Sequence, residues 1–302
     1  MRGPILVPHA HDLVRITGAD AVSFLDGQVS QDVVAMAPGS VARSFLLEPR
    51  GKVVALLWLL RGEEDVLALC DPGVGETVAA ALRRFLFRVD ATVEAAPEPV
   101  SGVWGSGAAE VMSDSGRHPA AAWGKVGDAL AADVSAGGLE RWAMAGADAA
   151  ALLAAGARPA AAGEAAALRI EAGEPVVPLD VDDSVIPQES GLVADAVSFT
   201  KGCFLGQELV ARIDSRGRVN RHLRGLVIAG DVVPPRGAAL ESGGEAVGAV
   251  GSAAASEALG RPVALALVRR EVAPGDRIVV RWDGQTAEAE VRELPLRDFS
   301  DR

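Results

Sequence analysis

A short stretch near residue 200 combines the residue types that thiol chemistry needs: Lys201-Gly202-Cys203-Phe204-Leu205-Gly206-Gln207-Glu208. A cysteine reacts as the thiolate, which nearby positive charge stabilises. Leu205, Leu209 and Ile213 recur every four residues, which predicts an amphipathic helix whose first turn follows directly on Cys203. The positive end of this helix and the Lys201 ammonium would both favour the thiolate. The residues alone leave two interpretations open: a reactive Cys203 activated by Lys201, or a buried, inert cysteine.

Positive charge concentrates in the same region. Residues 201–224 contain six cations and two acids, a balance of +4 within a chain whose formal charge is −12. The overall charge repels nucleic acid and anionic membranes, so we expect neither a stable nucleic-acid complex nor a membrane partner. The basic segment is either a solvated face or a site that attracts an anionic ligand.

The composition is that of a globular chain. Its 302 residues, 49% of them hydrophobic and 23% charged, are enough for about two domains. The longest apolar run, from Val53 to Leu60, is too short to span a membrane and predicts a buried strand. Two cysteines, Cys70 and Cys203, cannot form a disulfide framework or a multi-cysteine metal site, and no metal site is predicted. The first residues lack the apolar block of a secretory signal, so the cytoplasm is the expected location.

Strand and helix patterns alternate in the first half of the chain and predict an α+β fold. The pattern resembles a ferredoxin-like lobe. The predicted elements are a strand over His11–Thr17, a helix ending at Leu25, a hairpin of Ser44–Leu47 and Val53–Leu60, a strand over Val66–Cys70, a helix from Val74 to Phe85 and a strand over Val89–Val93. Further strands are predicted around Trp104, Trp123 and Trp142, and two short helices over Ala147–Ala172, interrupted by Pro159.

The pattern of residue types changes after Arg224. Glycine and proline turns separate short apolar runs such as Leu223–Ile228 and Val263–Val268, which predicts an antiparallel β-barrel or sandwich. We therefore predict two domains, residues 1–222 and 223–302. The acidic run Asp180–Asp183 is interpreted as a solvated loop, because it lacks the glycine that a calcium-binding loop requires.

The segment from Lys201 to Glu208 resembles the signature of the YgfZ family, folate-binding paralogues of the glycine-cleavage T-protein (aminomethyltransferase). Phe204 stands where the family usually has tyrosine. The resemblance extends to the stretches 24–33, 168–173 and 186–192, in the right order and at the right spacing, and so covers most of the chain.

The resemblance implies a T-protein-like domain of two intertwined α+β lobes, one of them ferredoxin-like, plus a C-terminal antiparallel β-barrel, around a cavity for tetrahydrofolate. A carboxylate can accept two hydrogen bonds from the edge of a pterin ring, and Glu171 is the candidate; its alternative role is an ion pair with Arg169 or another arginine. The tryptophans Trp58, Trp104, Trp123 and Trp142 could flank the ligand. The predicted folate-binding residues are Arg169, Glu171, Gln207, Glu208 and Arg212.

One departure from the T-protein bears on catalysis. Aligned by eye, Thr77 falls at the position of the T-protein's essential aspartate, and a shift of one residue would place Glu76 there instead. A hydroxyl cannot relay a proton as a carboxylate does, so aminomethyl transfer is disfavoured and the question of enzyme activity stays open.

The resemblance implies a tetrahydrofolate-dependent protein that supports the assembly or repair of iron–sulfur clusters in client enzymes, including tRNA-modifying methylthiotransferases, with Cys203 as its reactive group. We expect a monomer. Contacts with these clients would be transient, since two distant thiols cannot hold a cluster that needs about four ligands. Three alternatives are kept: one-carbon transfer of the T-protein type, a folate-regulated binding module without chemistry, and direct tRNA binding by the basic segment.

Overall fold

The computed structural model describes residues 3–146 and 149–299, except for the side chains at positions 215 and 216. The first two positions of the alanine-rich stretch 147–172 therefore lie outside the described residues. Within them no helix is long and apolar enough to cross a membrane.

The strands of the first part of the chain are β1 (Ile5–Thr17), β2 (Val41–Leu47), β3 (Val53–Arg61), β4 (Val66–Cys70), β5 (Thr92–Ala95), β6 (Val100–Trp104), β7 (Trp123–Val126), β8 (Ala129–Asp133), β9 (Arg141–Ala145) and β10 (Arg158–Pro159). The helices are α1 (Ala21–Asp26), α2 (Gly75–Arg83), α3 (Ala108–Asp114), α4 (Ala149–Ala154), α5 (Glu164–Glu171), α6 (Pro187–Ser190), α7 (Val193–Ala196) and α8 (Gln207–Arg216). The remaining strands are β11 (Arg221–Ile228), β12 (Ala239–Ser242), β13 (Glu245–Ser256), β14 (Arg261–Arg269), β15 (Arg277–Trp282) and β16 (Gln285–Arg292).

The long strand β1 joins two lobes into one sheet. Among the described residues the strand order is β2-β3-β4-β1-β6-β9-β8-β7, and β5 and β10 also pair with β1. Residues 12–16 of β1 pair with β4 in the first lobe, whereas residues 5–7 pair with β6 in the second. The register of the pairing between β1 and β6 shifts between Val7 and His11. This irregularity lies between the half of β1 that belongs to the second lobe and the half that belongs to the first. Because both lobes share β1, they are intertwined, as the resemblance implies.

Each lobe has its own apolar core. In the first lobe α1 and α2 pack on the sheet, and the core includes Leu25, Leu57, Val78 and Leu82. The second lobe buries Val103, Met112, Trp142 and Leu152. The run Val53–Leu60 forms the buried strand β3, as predicted, and it is apolar on both faces because other residues cover both sides.

The C-terminal strands close into an antiparallel barrel in the order β11-β14-β13-β12-β15-β16, and β11 also pairs with β16. Inward-facing residues such as Leu226, Val250, Val268 and Val280 fill it. Strand β15 alternates buried and exposed positions, because only one face of a barrel strand meets the core. The barrel prediction is confirmed.

Candidate functional site

A cavity of about 360 Å³, here called the lobe cavity, opens where the two lobes meet the segment that follows α5. Strands from both lobes contribute to it, and α5 covers one side. Its lining includes His11, Trp58, Asp71, Trp104, Arg141 and Arg169. The cavity therefore combines flat aromatic walls with charged and polar groups.

Guanidinium groups pack against the aromatic rings that line the lobe cavity. The Arg43 guanidinium lies 4.8 Å from the centre of the Trp58 ring, and that of Arg141 lies 5.9 Å from Trp58 and 5.7 Å from Trp104. Such cation–π contacts fix the orientation of both partners. Trp58 and Trp104 thus line the cavity, as the sequence suggested, whereas Trp142 packs into the core of the second lobe.

A buried carboxylate joins the two lobes beneath the cavity. Glu174 accepts hydrogen bonds from Arg43 on β2 and, at 3.0 Å, from Arg141 on β9. Burial alone would raise the pKa of Glu174, but the charges of Arg141 and Arg43 outweigh it and lower that pKa. The carboxylate therefore stays ionised and holds one arginine of each lobe in place.

A second ion pair attaches the barrel. Arg169 Nη1 donates to Asp180 Oδ2 at 2.9 Å, and Asp180 Oδ1 accepts from the backbone and hydroxyl of Ser252 on β13, both at 2.7 Å. The side chain of Asp180 is completely buried. The prediction that residues 180–183 form a solvated acidic loop is therefore wrong at Asp180, because sequence spacing could not reveal a partner 72 residues away.

Two residues that line the lobe cavity each contain a buried nitrogen without a hydrogen-bond partner among the described residues. These atoms are Nε1 of Trp104 and Nε of Arg141. Burial, followed by the charge of Arg141, lowers the pKa of His11 to about 3, so the imidazole is neutral. A buried polar atom without a partner costs about 1–3 kcal/mol, so the two unpartnered nitrogens lower the stability of the fold at this place.

Asp71, which the sequence analysis missed, also lines the cavity. It follows Cys70 at the end of β4, and its Oδ2 accepts a hydrogen bond from the Val177 amide at 2.7 Å. The two residues weighed for a catalytic carboxylate lie elsewhere: Thr77 is exposed, and Glu76 is 71% exposed and pairs with Arg83. The signal that could have found Asp71 is its place directly after a buried strand.

The structure separates Arg169 from Glu171. Arg169 lines the lobe cavity, whereas Glu171 lines a second cavity of about 720 Å³ between the second lobe and the barrel, here called the barrel cavity. The carboxylate of Glu171 accepts hydrogen bonds from Ser256 and from Arg297, both at 2.6 Å. The alternative of an ion pair between Glu171 and an arginine is confirmed, but the partner is Arg297 and not Arg169, because residues two apart on α5 point to opposite sides.

The contacts of Lys201 are with the first lobe, whereas the sequence predicts that it activates the thiol of Cys203. Its ammonium is buried, lies 3.0 Å from Asp26 Oδ1, and donates to the backbone carbonyls of Asp26, Val29 and Gln31. Helix α8 begins at Gln207, not directly after Cys203. The Lys201 ammonium is therefore engaged by Asp26 and the backbone, and residues 204–206 separate the first turn of α8 from Cys203.

The rest of the signature segment folds so that Cys203 is exposed. Phe204 is buried in an apolar cluster. Gly206 has a φ of +81°, and a Cβ there would lie 2.7 Å from the Glu48 carbonyl oxygen, so the hairpin of β2 and β3 leaves room only for glycine. Cys203 is not among the residues that line either cavity of the described structure.

The predicted ligands on α8 also lie away from the cavities. Gln207 is half-buried, Glu208 and Arg212 are exposed, and none of the three lines the lobe cavity or the barrel cavity. The basic segment is partly neutralised, since Arg221 forms two hydrogen bonds with Glu189 and Arg224 pairs with Glu293.

The architecture matches that of a known enzyme class. A family model described as the glycine cleavage T-protein C-terminal barrel domain matches residues 221–298. The structure superimposes on the glycine cleavage system aminomethyltransferase T from Bartonella henselae with a TM-score of 0.88 and 22% identity, covering 98% of this chain and 87% of that chain. The fold is therefore of the glycine-cleavage T-protein type.

Sequence comparison identifies the family to which the chain belongs within this fold class. The chain is 30% identical over 242 residues to the tRNA-modifying protein YgfZ of Yersinia pestis (strain Pestoides F), covering 76% of this chain and 72% of the relative. It is 31% identical over 244 residues to the protein of the same name from Yersinia pseudotuberculosis serotype O:1b (strain IP 31758), with the same coverage. The chain belongs to the YgfZ family.

Proposed function

We propose that the protein binds a reduced folate, tetrahydrofolate or a one-carbon derivative, in the lobe cavity. We further propose that it supports the assembly or repair of iron–sulfur clusters in cytoplasmic enzymes, tRNA-modifying methylthiotransferases among them. The observation that carries the proposal is the lining of that cavity, which combines the flat rings of Trp58 and Trp104 with the guanidiniums of Arg141 and Arg169 and the carboxyl of Asp71. A ligand with a flat heteroaromatic ring, polar ring atoms and an anionic tail would complement this lining.

The residues of the cavity fit such a ligand. Trp58 and Trp104 offer flat surfaces against which a heteroaromatic ring packs, and the guanidiniums of Arg141 and Arg169 suit an anionic tail. Tetrahydrofolate supplies one-carbon units or reducing equivalents when bound. The chain's own groups orient the ring, exclude water and neutralise the tail.

Cys203 would act at the protein surface on a partner, not inside the cavity. The buried anchors Lys201 and Phe204 hold it in an exposed loop, where a client's cluster or thiol can approach. The other cysteine, Cys70, is buried, and burial raises its pKa, which keeps it a thiol. Contact with a client would therefore be transient. We expect a monomer without a stable nucleic-acid complex.

The test separates folate binding from cluster support. Cys203→Ala should bind 5-formyltetrahydrofolate as the wild type does, yet fail to restore the activity of an iron–sulfur methylthiotransferase in cells that lack the protein. Thr200→Ala, an exposed change in the same loop, is the control and should restore activity. Full restoration by Cys203→Ala would refute the role of the thiol, and absence of folate binding by the wild type would refute the ligand.

One-carbon transfer of the T-protein type is the second candidate. Asp71 favours this second candidate, because its carboxyl group lines the lobe cavity. Thr77, which aligns with the essential aspartate of the T-protein, does not line it. Transfer would require Asp71 and not Cys203. An assay of aminomethyl transfer to tetrahydrofolate that is abolished by Asp71→Asn and unaffected by Cys203→Ala would support this candidate over cluster support.

A further inference from the structure

Only one of the two carboxyl oxygens of Asp71 accepts a hydrogen bond among the described residues. Oδ2 accepts the Val177 amide hydrogen at 2.7 Å, and no hydrogen bond to Oδ1 occurs among the described residues. Oδ1 is not among the buried, unsatisfied atoms, and the residue lines the lobe cavity. The free oxygen is therefore accessible from the cavity.

Charged and titratable groups face Asp71 from each neighbouring element. Arg169 on α5 and Arg141 on β9 favour its ionised form, and Asp180 disfavours it. Burial, the largest effect, raises the pKa of Asp71 to about 7. The other titratable groups on the adjoining elements are Cys70 on β4, Glu174 after α5, and His9, His11 and Asp12 on β1.

The net charge around the lobe cavity depends on whether Asp71 is ionised. Three guanidiniums, those of Arg43, Arg141 and Arg169, stand against the carboxylates of Glu174 and Asp180. With Asp71 neutral, this group has one excess positive charge. With Asp71 ionised, it has none. A proton on Asp71 thus decides whether the cavity attracts an anion.

We infer that Asp71 is a ligand-binding residue that takes up a proton when an anionic ligand enters the lobe cavity, so that ligand affinity falls as Asp71 ionises. The inference rests on the proposed folate function and adds the linkage between proton and ligand. The neutral carboxyl donates a hydrogen bond from Oδ1 to an acceptor on the ligand ring, and the excess positive charge holds the ligand's carboxylates.

The sign of the effect follows from linkage. The free protein loses the Asp71 proton as the pH rises through about 7, whereas the complex retains it. Affinity is therefore highest below this pH and decreases about tenfold per pH unit above it. Between pH 6 and pH 8.5 the dissociation constant should increase about 30-fold.

The experiment uses the full chain and 5-formyltetrahydrofolate as the probe. Titration calorimetry between pH 6 and 8.5 gives the affinity profile. Comparison of phosphate and Tris buffers at pH 8, which differ in heat of ionisation, gives the protons taken up, with about one per ligand expected for the wild type. Asp71→Asn keeps a neutral donor and should give a flat profile without uptake. Asp195→Asn, an exposed aspartate, is the matched control and should follow the wild type.

The outcomes separate this inference from the proposed function. Wild-type binding that does not vary with pH and takes up no proton overturns the inference and leaves folate binding standing. Persistence of the pH dependence in Asp71→Asn also overturns it. The proton count is measured on the wild type, so the inference stays testable if the variant does not fold. Failure of the wild type to bind the probe at pH 6 overturns both.

Discussion

The ammonium of Lys201 and the carboxylate of Asp26 form a buried ion pair of 3.0 Å between residues 175 positions apart. The backbone carbonyl of Asp26 at the end of α1 and those of Val29 and Gln31 after it complete the surroundings of the ammonium. The lysine of the signature segment thus attaches the Cys203 loop to the first lobe. Its role is to position that loop.

Loss of this anchor should destabilise the whole protein. Lys201→Met keeps the length of the side chain but leaves Asp26 and the carbonyls without their buried cation. Breaking such a pair costs about 3–5 kcal/mol, which urea unfolding would measure. Lys125→Met, at an exposed lysine on β7, is the control. A loss of under about 1 kcal/mol at Lys201, as for surface pairs, would contradict the structural role.

Glu171 provides a test of which cavity binds the ligand. Because its carboxylate faces the barrel cavity and is engaged by Ser256 and Arg297, Glu171→Gln should leave folate affinity unchanged. It should lower stability by about 1–3 kcal/mol, since Arg297 loses its charged partner. Fluorescence titration and thermal unfolding give the two values. A tenfold loss of affinity would instead indicate that the ligand binds in the barrel cavity.

Trp58 should contribute to ligand binding through its ring. Trp58→Leu removes the flat wall between two guanidiniums and should weaken folate binding by about 0.5–1.5 kcal/mol, the value of an aromatic contact beyond its buried area. The matched variant Trp123→Leu, at a partly buried position that lines neither cavity, should bind normally. Equal affinities of the two variants would argue against stacking on Trp58.

The raised pKa of Asp71 predicts an effect on folding stability without ligand. Its unfolded-state carboxyl ionises near the ordinary value of 3.8, whereas the folded group ionises near 7. Stability is therefore lost as the pH rises between these two values and stays low above them. Asp71→Asn should be more stable than the wild type at pH 8, on the order of 1–3 kcal/mol, and similar at pH 4. Urea unfolding at both pH values measures this difference.

Local sequence patterns predicted most of the strands and helices. Alternation indicated the second half of β1, a short apolar run indicated β4, turn signals between short apolar runs indicated the barrel strands, and apolar spacing located α2. The helices α6 and α7, four residues each, were not predicted, because so short a run has no periodicity to detect. The start of α8 was placed too early, since the tight contact of Gly206 with Glu48, 158 positions earlier, is not visible in local spacing.

The sequence by itself determined the class of fold, the family and the presence of a distinctive cysteine segment, because these follow from local residue order. The tertiary structure alone decided which polar side chains share a space. It paired Lys201 with Asp26, turned Glu171 away from Arg169 and brought His11 and Asp71 to one cavity. The physical reason is that ion pairs and cavities depend on distances between residues that folding brings together, and such distances leave no periodic trace in the chain.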